Sequence, residues 1–100
     1  MKSSLFQVDF NELLEPDLIA LSQDETKLNY DGEECRLFEG MEIVVFTDDN
    51  LDERGEIEFI VASGAVEKHN FANSPWDRVK WWCRIDQNGI RYTSNLNNVD

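Results

Sequence analysis

The stretch from Trp76 to Ser94, W-D-R-V-K-W-W-C-R-I-D-Q-N-G-I-R-Y-T-S, most constrains what this chain can fold into. It holds all three tryptophans and the clearest turn signal in the sequence, Asn88-Gly89. A type I′ turn needs positive φ at both central residues, which Asn and Gly supply at least cost. Counting outward from that turn predicts a hairpin in which Gln87 faces Ile90, Asp86 faces Arg91, Ile85 faces Tyr92, Arg84 faces Thr93 and Cys83 faces Ser94. Side chains alternate along a strand, so Val79, Trp81, Cys83, Ile85, Ile90 and Tyr92 are expected on a core face. Arg78, Lys80, Trp82, Arg84, Asp86, Arg91 and Thr93 then form a basic outer face with one tryptophan in it.

Two further segments read as strands. Met41–Thr47 is rich in β-branched and aromatic residues and apolar on both faces, which predicts a central strand covered on both sides, one of them by an N-terminal helix. Residues 56–68 form a long strand in which Gly64 marks a bulge or sharp bend. Lys27–Tyr30 and Glu34–Phe38 flank Asp31-Gly32, a second and weaker hairpin signal. Residues 48–55 read as a polar loop, and residues 69–75 as a turn-rich connection.

The N-terminal third is the hardest to read. Phe10, Leu13, Leu14, Leu18 and Leu21 recur at helical spacing, and Asp9 with Glu12 three residues on resembles an N-terminal cap. Pro16 breaks the pattern, so a short helix is expected over 9–15, with Asp17–Ser22 either a helical turn or a buried strand. The whole is a mainly β (α+β) single domain over residues 1–100, with 1–8 and 95–100 frayed. Its expected form is a small, strongly bent antiparallel sheet of about five strands, a partly open SH3-like barrel with a short N-terminal helix.

Charge and chemistry narrow the function classes. The net charge is −12 in 100 residues, with 18 acids against 4 bases in residues 1–67 and 3 against 5 in residues 68–100. Such a surface repels phosphate backbones and anionic membranes, so neither nucleic acid nor membrane is an expected partner. No apolar run reaches the roughly 20 residues of a membrane span, and the first ten residues lack the apolar core of a secretory signal. Cys35 and Cys83 are therefore expected as reduced core thiols in the cytoplasm.

No phosphate-binding glycine loop, dinucleotide fingerprint, nucleophile elbow, H-E-x-x-H or C-x-x-C occurs. Zinc would have only Cys35, His69 and Cys83 to draw on, too few for the usual four ligands. Asp48, Asn50 and Asp52 match the first three ligand positions of a calcium loop. Glu53 then stands where glycine is needed and Phe59 where a bidentate glutamate is needed. The adjacent acid pairs read as surface charge, since a small domain lacks the cleft that a glycosidase needs. No metal, cofactor or catalytic residue is expected.

Three readings remain. The first is a non-catalytic domain that binds a protein or peptide through Trp76, Arg78, Lys80, Trp82 and Arg84, an aromatic and basic strip of the kind enriched at binding hot spots. The second is an acidic inhibitor or immunity-type protein that masks a basic partner, with Asp48, Asp49, Asp52, Glu53, Glu56 and Glu58 on one face. The third is a small enzyme built on His69, the sole imidazole and so the default acid–base group.

Overall fold

The computed structural model describes residues 4–51, 57–93 and 96, with only the backbone given for 49–51 and 57. Its elements are all strands: β1 (Leu5–Gln7), β2 (Leu13–Glu15), β3 (Leu18–Ser22), β4 (Thr26–Leu28), β5 (Glu34–Arg36), β6 (Glu42–Leu51), β7 (Ile57–Lys68) and β8 (Trp81–Thr93). Six of them form one sheet in the order β1-β6-β7-β8-β3-β2, curled into a half-barrel, and β4 and β5 form a separate pair. Every pairing is antiparallel except β1 with β6.

The apolar pattern dictates the layers. In β6, Ile43 and Val45 face one side and Val44 and Phe46 the other, and all four are buried, as a strand covered on both faces requires. The main core collects Phe6, Ile19, Leu21, Ile43, Val45, Val66, Trp81, Cys83 and Ile85 from the large sheet, Cys35 from the small one and Leu37 from just after β5. Two smaller clusters lie apart from it. One gathers Leu5, Val44, Phe46, Val61 and Leu96; the other gathers Leu18, Ala20, Val79 and Trp82.

The expected helix over 9–15 does not form. Asp9 accepts a hydrogen bond from the Asn11 amide and its carbonyl takes the Glu12 amide, so the capping residues build a tight turn instead. Leu13–Glu15 then runs as β2 and returns through Pro16-Asp17 into β3, whose first four residues are all buried. Strand pairing outweighs a helical period that spans barely two turns. Nor are residues 5–8 frayed: β1 lies in register beside β6, and Leu5, Phe6 and Val8 are buried. Of the C-terminal residues expected to fray, only Leu96 is described, and it is buried.

The Asn88-Gly89 hairpin is also absent. Residues 81–93 form one strand that pairs with β7 along both limbs, Phe59 with Thr93 through Ala62 with Ile90, then Gly64 with Ile85 through Lys68 with Trp81. Residues 86–89 bulge out opposite Ser63, held by the Asn88 amide donating to Asp86 Oδ1. Gly89 has φ 67°, but Asn73 is the one described non-glycine residue with positive φ, so the pair of left-handed residues that a type I′ turn needs is missing. A hairpin would have folded β8 onto itself and stripped β7 of a partner edge. In consequence Ile90 and Tyr92, expected in the core, are exposed, while Trp81, Cys83 and Ile85 occupy the core as expected.

Gly64 sits where the register changes. A Cβ there would meet the Arg84 carbonyl oxygen at 2.2 Å and Cys83 Sγ at 2.8 Å, so the two strands cross this point only because the side chain is missing. The second predicted hairpin is present as β4 and β5, turning through Gly32 at φ 80°. Residues 48–51, expected in a loop, extend β6, and residues 52–56 lie outside those described. No helix among the described residues is long and apolar enough to cross a membrane.

Candidate functional site

Trp82, the centre of the strip expected to bind a partner, is covered by the chain itself. Trp82 does lie on the opposite face from Trp81 and Cys83, but it is fully buried. Residues 69–80 fold across it, with Phe71 and Trp76 meeting its ring edge-on at 5.1 and 5.7 Å. The turn chemistry of this segment explains the path. Asn73 takes a positive φ, and the Ser74 hydroxyl donates to the Phe71 carbonyl and accepts from the Trp76 amide. The Lys80 amide then docks on the Ser22 carbonyl. The indole N–H groups of Trp81 and Trp82 are both buried with no hydrogen-bond partner among the described residues.

Lys80 and Arg84, two of the strip's three basic side chains, are engaged by carboxylates. Lys80 Nζ lies 2.5 Å from Glu25 Oε1, and that cation holds the Glu25 carboxyl below its usual range. Arg84 spreads its guanidinium over three acids: Nη2 reaches Glu67 at 3.2 Å, and Nη1 reaches Asp17 at 3.0 Å and Glu15 at 3.4 Å. The hydrogen bond from Arg84, followed by that from His69, keeps the Glu67 carboxyl low, and Arg84 is raised in return. Trp76 is half-buried, and Arg78 is the one member of the strip that stands exposed. The expected face is thus an outer ion-pair network above a buried aromatic cluster.

His69 belongs to the same network. Its Nε2 lies 2.7 Å from Glu67 Oε1 and its ring stacks on Phe71 at 5.4 Å. Cys35 and Cys83 are free and buried, and burial pushes the Cys83 thiol up to about 12, far from a reactive thiolate. No cluster of three or more potential metal ligands occurs among the described residues. Of the six acids expected to share a face, only Asp48 and Glu58 have described side chains. Asp48 lies across from Phe59 and Glu58 is the next residue along β7, so these two point to opposite sides.

An open cleft that no sequence motif announces lies at the other end of the sheet. About 560 Å³ in volume, it lies between the β4–β5 turn and the β6–β7 pair. Leu28, Tyr30, Phe46 and Phe59 supply its apolar surface, and Gln7 and Asp48 its polar edge. Tyr30 packs edge-on against Phe46 at 5.4 Å, and Phe46 against Phe59 at 6.5 Å, making an aromatic row. Leu28 and Tyr30 nevertheless remain 60% and 53% exposed. The turn that presents them is built rigidly: the buried Asn29 accepts from the amides of Asp31 and Glu33, and the Tyr30 amide donates to the Leu5 carbonyl. The signal was present in Leu28 and Tyr30, which alternate with Lys27 and Asn29 so that two large apolar residues share one side. A second depression, of about 640 Å³, lies at Gly64 and includes Glu42, Ser63, Arg84 and Asp86. Its one described cation, Arg84, is already held by Glu67, Asp17 and Glu15.

The chain matches no protein-family model, and neither the curated proteins nor the solved structures yield a significant match. What defines it is its own geometry: a small mixed-β half-barrel with one closed aromatic cluster and one open, acid-edged aromatic cleft.

Proposed function

We propose that this chain is a non-catalytic protein-interaction domain that engages a basic protein partner through its acidic surface. The observation that carries this reading is the placement of charge. Lys80 and Arg84, two of the three cations expected to form a basic strip, are spent on Glu25, Glu67, Glu15 and Asp17, and Arg78 alone stands exposed. The surface left for a partner is therefore dominated by carboxylates, in keeping with the net charge of −12. An acidic inhibitor or immunity-type protein would present such a surface, and its association would be fast and steeply salt-dependent. Buried reduced cysteines fit a cytoplasmic setting. The half-barrel is compatible with an SH3-like description, a small rigid frame whose work is done on its outside.

The aromatic and basic strip survives as a rival only at its Trp76–Arg78 end, where some surface is open. A catalytic His69 is the weaker alternative, because its imidazole is already tied to Glu67 and stacked on Phe71. The test is affinity capture from the host lysate by wild type and by Arg78→Ala, at low and high salt. The reading predicts a basic protein retained by both and released by salt. Capture that resists salt and is lost in Arg78→Ala would move the site to the strip and overturn it.

A further inference from the structure

We infer that the cleft formed by Leu28, Tyr30, Phe46, Phe59 and Asp48 receives an extended basic segment of the partner, with one aliphatic side chain seated on the aromatic row. This rests on the reading that the partner is basic, and adds where and how it docks. The cleft's volume of about 560 Å³ falls within the span of roughly 300–1,000 Å³ typical of ligand pockets. Its aromatic row is supported from below by the buried Phe46 and braced above by the Asn29 turn, so it needs little ordering on binding.

Charge selects the occupant. Asp48 lines the cleft, and Asp31 and Glu33 stand exposed on the turn above it. No described cation lines it. Lys27 points to the other side of β4, level with the buried Cys35. Lys68 lies over the Trp81 ring, and Arg91 donates to Ser63. An anionic ligand would be repelled, and a second copy would bring acid against acid. A lysine or arginine flanking the anchor would find carboxylates beside it and the exposed Tyr30 ring for a cation–π contact.

The test uses a short acetylated peptide with one leucine between pairs of lysines, and the same peptide with serine in place of leucine. Both are titrated into the ¹⁵N-labelled domain and followed by amide shifts. The leucine peptide should bind more tightly, with shifts concentrated at Leu28, Tyr30, Asp48 and Phe59. Tyr30→Ala and Leu28→Ala should each weaken it about tenfold, the size of a single binding hot spot. Asp48→Asn, which removes no packing, should weaken both peptides and flatten their salt dependence. Equal binding of the two peptides, or shifts spread over other acidic surface, would overturn the cleft while leaving the basic-partner reading standing. Binding of neither peptide would overturn the cleft, and loss of the basic protein in the lysate capture as well would remove the wider reading with it.

Discussion

The two ends of the half-barrel use the same materials to opposite effect. At the Trp82 end, aromatic rings and charged groups close on one another: Phe71 and Trp76 cover Trp82, and Arg84 and Lys80 each find acids. At the Tyr30 end, three rings are stacked edge to face but stop short of closure, and the carboxylates beside them meet no described cation. The first arrangement covers its own rings and pairs its own charges, leaving only the Trp82 indole N–H without a described partner. The second is left to be completed by something else. An aromatic residue beside a charge is therefore no sign of a binding surface until its neighbours in space are known.

Substitutions can break or sharpen that contrast. The largest effect should come from Trp82→Ala, which empties the centre of the closed cluster and should cost ~3–5 kcal/mol in urea unfolding. Tyr30→Ala should shift the same curve by only ~1 kcal/mol, the scale of its single edge-on contact with Phe46. Equal losses would abolish the distinction between the two ends. Gly64→Ala comes next, at ~1–3 kcal/mol or more, because its methyl group would meet the Arg84 carbonyl rather than a movable side chain.

Glu67→Gln probes the ion-pair network through pH. Arg84 and His69 lower the native pKa of Glu67, so its contribution is complete at neutral pH. It begins to fade as pH falls below the ordinary 4.5, and it is gone beneath the lowered native value. Wild type should therefore be more stable than the variant at pH 7, and the gap should close in acid. A gap that persists at low pH would mean that the network owes its strength to packing and not to charge.

How much of this was legible in the sequence depended on whether a signal was local. The β4–β5 turn at Asp31-Gly32 and the two-faced strand β6 were readable because short-range chemistry and tertiary context agree there. Gly64 was readable as a point of strain, though its cause, the Arg84 carbonyl, lies on another strand. Asn88-Gly89 misled because a local turn preference competed with nine residue pairs along β7, and the ladder absorbed the turn as a bulge. Asp9 and Glu12 misled in the same way, their capping chemistry spent on a turn before β2. Alternation placed Trp82 correctly on the far side of β8. What covers that side comes from residues 69–80 and β3, and no counting along one strand could supply it.

The most direct test is solvent accessibility of the aromatic signals, read in one NMR experiment with a soluble gadolinium chelate. The account predicts that the Tyr30 ring signals broaden strongly while those of the Trp82 indole are untouched. Trp82 broadened as much as Tyr30 would contradict it, and would return the outer face of β8 to the surface as the place where a partner binds.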